Sequence, residues 1–107
     1  MKLTEQKCEA CEGGVLPLNH TEASILLKQI PGWEVSDDAI KLSRHYAFKD
    51  FAEALAFVNR VGELAESEGH HPDMHLTSFK NVTIELSTHA IGGLSNNDFI
   101  LAAKIDQ

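Results

Sequence analysis

The helical pattern from Phe51 to Glu68, stopped at Gly69 and forbidden to resume by Pro72, constrains this chain more than any other stretch. Asp50 is a good N-cap, and Glu53 stands three residues on, where it can close a capping box. Phe51, Ala54, Leu55, Phe57, Val58, Val61, Leu64 and Ala65 make one broad apolar stripe, which must lie across a second layer such as a sheet. Gly62 interrupts the stripe at up to about 1 kcal/mol relative to alanine. It marks either a close approach by another backbone or a tolerated weakness.

The rest of the chain supplies that second layer. Residues 1–18, with Gly13-Gly14 and Pro17, carry neither helical nor strand periodicity and read as a flexible extension, leaving 19–107 as one domain. Asn19 and Glu22 have capping-box spacing ahead of a helix with Ala23, Leu26, Leu27 and Ile30 on one face, ended by Pro31-Gly32. Trp33 and Val35 flank Glu34, Ser36-Asp37-Asp38 offers turn chemistry, and Ile40, Leu42 and Tyr46 follow, which together predict a hairpin. Arg44 shares the parity of Ile40 and Leu42, so either that face turns polar at its far end or a bulge shifts the register. A second hairpin is expected from Met74 to Phe79, a turn at Lys80-Asn81, and the alternation of Val82, Ile84 and Leu86 with Thr83, Glu85 and Ser87. Ser95 then caps a last helix to about Ile105, with Asp98 in its first turn and Leu94 and Phe99 spaced as a hydrophobic staple. The expected fold class is α+β in the order αββαββα: a four-stranded, largely antiparallel sheet with three helices on one face. Its exposed edges and second face predict pairing with further copies, as a homodimer or homotetramer.

Composition narrows function by exclusion. With a net charge of −7 and scattered basic residues, the chain would repel a phosphate backbone, so no nucleic-acid partner is expected. No apolar run approaches the roughly 20 residues of a membrane span, and Met1 to Lys7 carries no secretory signal, which places the protein in the cytoplasm. Cys8 and Cys11 are compatible with two inert thiols on a tail, half a zinc site with His20 nearby, or a redox pair. The lack of a second cysteine pair favours the first.

Six histidines are present, and His70, His71 and His89 fall where elements end. Two such junctions meeting at one end of the sheet would let one imidazole take a proton while another donates one, with no cofactor. Surface or capping histidines explain the same positions more blandly, since a helix C-terminus favours an imidazolium. A metal held by His70, His71, His75 and His89 lacks diagnostic spacing, and the acids Glu66, Glu68 and Asp73 do not supply it; no metal is expected. Asp98 suits the first turn of the last helix, and a carboxylate nine positions after His89 can also orient an imidazole through its second ring nitrogen.

Glu66, then His70-His71-Pro72, Phe79, His89 and Asp98, with Gly93-Leu94-Ser95 and Asn97 to Ala103 at the end, resemble the pterin-4a-carbinolamine dehydratases from about Thr21 to Asp106. The Cys8-containing leader looks like extensions on bacterial members associated with phenylalanine hydroxylase, a partner this resemblance suggests. It implies dehydration of 4a-hydroxytetrahydrobiopterin to quinonoid dihydrobiopterin, which recycles the pterin of aromatic amino-acid hydroxylases; the pterin is substrate, and no cofactor is required. By the same resemblance His70 and His89 are the acid–base pair, and His71, the third catalytic position, binds and orients the pterin. Gly69, Ser87 and Thr88 line the pterin site with these histidines, while Asp98, Glu66 and Pro72 support it. Met74 and His75 stand where aromatic residues can follow the turn, which bears on the pocket rim. Two other roles belong to such a family: a non-catalytic module that lends its long helix to a transcription-factor partner, and a pterin role in molybdenum-cofactor metabolism. Three imidazoles at element junctions favour the dehydratase.

Overall fold

The computed structural model describes residues 2–9 and 16–107. The elements come in the expected order: α1 (His20–Leu27), β1 (Glu34–Val35), β2 (Leu42–Ala47), α2 (Phe51–Glu68), β3 (Asp73–Thr77), β4 (Asn81–Leu86) and α3 (Asn96–Ile105). All four strands pair antiparallel in the order β1-β2-β4-β3, so the two hairpins join through β2 and β4.

Alternation along β4 decides which face is covered. Val82, Ile84 and Leu86 are fully buried, whereas Asn81, Thr83 and Glu85 are half-buried on the other face. With Leu42 they meet Ala54, Val61 and Ala65 of α2 and Phe99, Leu101 and Ile105 of α3 in one core. The β2–β4 register runs unbroken from Leu42↔Leu86 to Ala47↔Asn81, so Arg44 is explained by a polar end of the covered face and not by a bulge. Its guanidinium donates to the Pro31 carbonyl at 3.0 Å and to Asp106 Oδ2 at 2.9 Å. Asp106 also accepts from Trp33 Nε1 at 2.7 Å and from the Tyr46 hydroxyl at 2.6 Å, tying the end of α3 to the first hairpin.

The central helix forms where its caps require. Asp50 Oδ1 accepts from the Glu53 amide at 2.9 Å, but Glu53 does not close the box: its carboxylate accepts from Lys49 N, one residue earlier. Ala54, Phe57, Val61 and Ala65 are buried, while Phe51 and Leu55 remain 50 % and 42 % exposed, so the stripe is wider than the sheet needs. No backbone approaches Gly62; a Cβ there would meet only Met74 Cε, at 4.0 Å. The glycine is a tolerated weakness. Gly62→Ala is therefore expected to stabilise the fold by about 0.5–1 kcal/mol, read as a higher midpoint in urea; an unchanged or lower midpoint would contradict an open site.

Two expectations need correction. The second hairpin turns over Ser78, Phe79 and Lys80, between the paired Thr77 and Asn81, one step earlier than the expected Lys80-Asn81 turn: Ser78 and Phe79 have positive φ (46° and 53°), Lys80 closes the loop, and Asn81 already belongs to β4. Phe79 is consequently 59 % exposed instead of in the strand. The leader is not detached either. Leu3, 3 % exposed, packs into the core from a short 3-10 helix (Leu3–Glu5), and the Cys8 amide donates to Glu68 Oε1 at 3.0 Å. One isolated leucine carries no periodicity, so pattern reading passes over this strap. Cys11 and Gly13-Gly14 lie outside the described residues.

Candidate active site

The end of α2 builds the first wall of the site. Gly69 takes the left-handed conformation (φ 67°) that closes many helices, and its amide together with that of His70 satisfies the carbonyls of the last turn. The two histidines that follow point apart: the His70 side chain is 12 % exposed and that of His71 is 63 % exposed. The end of β4 builds the second wall. Thr88 bridges to Gly93, its amide donating to the Gly93 carbonyl at 2.8 Å, and a short 3-10 helix (His89–Ile91) fills the loop between. A Cβ on Gly93 would lie 2.7 Å from Pro17 Cβ, so only glycine fits. This loop is pinned at its base.

Between these walls lies a cleft of about 270 Å³ that brings together Gly69, His70, His71, Ser87, Thr88 and His89. Glu9, Ala90 and Asn97 complete its lining, and the sequence gives a site role to none of them. The other histidines lie elsewhere. His75 contacts Glu85 at 2.8 Å and His45 contacts Asn81 at 3.0 Å on the uncovered sheet face, and His20 meets the Asp37 carbonyl. Met74 is half-buried beside α2, so neither it nor His75 shapes the cleft, contrary to the expectation about the rim.

Asp98 is the polar hub. It is fully buried; Oδ1 meets His70 Nε2 at 2.6 Å, and Oδ2 accepts from Thr88 Oγ1 at 2.8 Å and from the Ser95 amide at 3.0 Å. The Ser95 contact is half of a capping box, so the cap and the orientation of an imidazole coexist in one carboxylate. The imidazole is His70, from the far end of α2, not the His89 nearer in sequence. Because a carboxylate only accepts, the shared proton is assigned to His70 Nε2, and in the neutral form of the ring Nδ1 is then the nitrogen that holds the lone pair. The ring of His89 is exposed and has no polar partner among the described residues. Glu66 reaches His71 Nε2 at 2.8 Å; with both side chains exposed, this pair stabilises by at most about 1 kcal/mol. Pro72 is half-buried and leads directly into β3.

Beneath the cleft, Glu68 Oε2 pairs with Lys104 Nζ at 2.7 Å. Burial alone would raise the Glu68 pKa, but the Cys8 amide and Lys104 hold it below the ordinary value. Burial, then the charge of Glu68, pushes the Cys8 thiol up to about 12. It stays protonated near neutrality, a poor nucleophile and metal ligand in this state.

A family model described as pterin 4 alpha carbinolamine dehydratase matches residues 16–107. The chain belongs to the pterin-4a-carbinolamine dehydratase family. The resemblance carried by Glu66, His70-His71-Pro72, His89 and Asp98 is thereby borne out. Among curated dehydratase relatives, a Methylococcus capsulatus protein named provisionally as a pterin-4-alpha-carbinolamine dehydratase is 49 % identical over 105 residues, covering 98 % of this chain and 91 % of its own. Pterin-4-alpha-carbinolamine dehydratase 2, mitochondrial, of Arabidopsis thaliana is 47 % identical over 98 % of this chain and 58 % of its own. The crystal structure of a Brucella melitensis transcriptional coactivator/pterin dehydratase superposes with a TM-score of 0.78 at 29 % identity, covering 84 % of this chain and 95 % of that one. No helix among the described residues is long and apolar enough to cross a membrane.

Proposed function

We propose that this protein dehydrates 4a-hydroxytetrahydrobiopterin to quinonoid dihydrobiopterin and water, and so returns to use the pterin oxidised by aromatic amino-acid hydroxylases. The observation that carries this reading is the His70–Asp98 contact at 2.6 Å, on the same cleft as the ring of His89, which has no polar partner among the described residues. The reaction removes the N5 proton and the 4a-hydroxyl, and forms the N5–C4a double bond. His70 is the base: its Nε2–H is engaged by Asp98, so Nδ1 takes the N5 proton while the buried carboxylate stabilises the imidazolium that forms. His89 is the acid: in its protonated form it delivers a proton to the hydroxyl as the C4a–O bond breaks, and water leaves. One proton is gained and one lost, so exchange with solvent resets the pair. His71, aimed by Glu66, orients the ring. No cofactor is involved beyond the pterin itself.

The partners follow from the same surfaces. Phe51 and Leu55 on α2 and the free edge of β3 are what a second copy would cover, which supports a homodimer or homotetramer. An enzyme that hydroxylates phenylalanine is the source of substrate, in the cytoplasm.

The test is turnover of freshly generated 4a-hydroxytetrahydropterin, followed by the absorbance of the quinonoid product. Wild type is expected to accelerate the reaction well beyond its spontaneous rate. Folded protein that leaves the spontaneous rate unchanged would remove the dehydratase reading and turn attention to partner binding through α2.

A further inference from the structure

Consecutive residues in the first turn of α3 do two different jobs at the cleft. Asp98 holds His70, and Asn97, 6 % exposed, holds the N-terminal strap. The Asn97 side chain grips both polar groups of one strap residue: its Oδ1 accepts from the Glu9 amide at 2.9 Å, and its Nδ2 donates to the Glu9 carbonyl. Leu3 in the core and the Cys8 amide on Glu68 fix the strap on the approach to that point. The result is that a residue far from the domain in sequence lines the same cleft as His70, His71 and His89. Glu9 is exposed, its carboxylate has no polar partner among the described residues, and it is the one acidic side chain in the cleft lining.

We propose that Glu9 is a substrate-binding residue, its carboxylate taking the amino edge of the pterin, and that Asn97 is the positioning residue that sets it there. The inference rests on the pterin reading above and extends it. A pterin presents its N3–H and its 2-amino group side by side, a parallel pair of donors like the edge of a guanidine. A carboxylate is the side chain that accepts both at once, through charge-assisted bonds stronger than neutral ones. The imidazoles and hydroxyls of the same cleft are then left for N5 and the 4a-hydroxyl. Because the contact is the same in the ground state and the transition state, it governs affinity and choice of ring without entering the proton transfers.

The test compares wild type with Glu9→Gln and Glu9→Asp. It measures KM and kcat for 4a-hydroxytetrahydropterin, and the Kd of two unreactive probes, 7,8-dihydropterin and 7,8-dihydrolumazine, which has a carbonyl in place of the 2-amino group. Wild type is expected to prefer dihydropterin. In Glu9→Gln, KM and the dihydropterin Kd should rise roughly 10-fold with kcat unchanged, the preference over dihydrolumazine should shrink, and Glu9→Asp should restore part of it. A merely structural strap would not move the preference. Unchanged KM and preference in Glu9→Gln, in a wild type that turns over substrate, would overturn the role of Glu9 and leave the dehydratase reading standing. A wild type that neither binds dihydropterin nor turns over would overturn both.

Discussion

His70→Ala is expected to lower kcat for pterin dehydration by roughly 10²-fold or more, with KM changed far less. The ring that is lost is the one with a defined tautomer: Nε2 is engaged by a fully buried carboxylate at 2.6 Å, so Nδ1 is fixed as the acceptor. Alanine removes the acceptor and strands Asp98 with one oxygen unpaired. His89→Ala should produce a kcat loss of the same order for the opposite reason, removal of the group that protonates the departing hydroxyl. Because the two rings act within one step, the double variant should fall well short of the product of the single losses. His75→Ala is the internal control, since that ring sits with Glu85 on the uncovered face of the sheet. Steady-state kinetics of the four proteins decides the matter: full activity in either single cleft variant would contradict the assignment.

Asp98→Ala should carry the largest stability effect of any single substitution at the cleft. It removes the acceptor from the Thr88 hydroxyl, the Ser95 amide and His70 at once, at a carboxylate that is itself fully buried. Lost bonds to a buried charge and a lost cap together amount to roughly 3 kcal/mol, a fall in Tm on the order of 10–20 °C for a domain of this size. Asp98→Asn keeps the volume but turns an amide toward at least one of those donors. It should unfold between wild type and the alanine variant, yet lose kcat nearly as severely as His70→Ala, because the tautomer of His70 is no longer imposed. Thermal unfolding with kinetics on the asparagine variant separates the two roles; retained activity would mean that Asp98 is only a cap.

The elements with strong local signals were readable before the fold was known. Asp50 and Gly69 bound α2, Ser95 and the Leu94–Phe99 pair start α3, and the alternation of Val82, Ile84 and Leu86 identifies the buried face of β4; each signal acts within a few residues. What was not legible depended on distance along the chain. Asp98 reads as a helix cap in either case, and only the fold brings it to His70, twenty-eight positions earlier, in place of His89. The strap carries a single buried leucine, so no period announces it, and the Asn97–Glu9 clasp spans nearly the whole chain. The turn over Ser78, Phe79 and Lys80 reads one step too late from sequence because neither Ser78 nor Phe79 is a residue that usually takes positive φ; the pairing of β3 with β4 imposes it. His70, His71 and His89 were found from their place at element ends, and the fold adds that His70 is nearly enclosed while His71 and His89 face solvent.

The most direct test of the account is the protonation state of the His70 ring in the folded protein, read from its ring ¹⁵N chemical shifts by NMR near neutral pH. The account requires Nε2 to carry the proton toward Asp98 and Nδ1 to present a lone pair, with that preference lost in Asp98→Asn. A neutral ring with its proton on Nδ1, or a tautomer indifferent to Asp98→Asn, would contradict the assignment of His70 as the base.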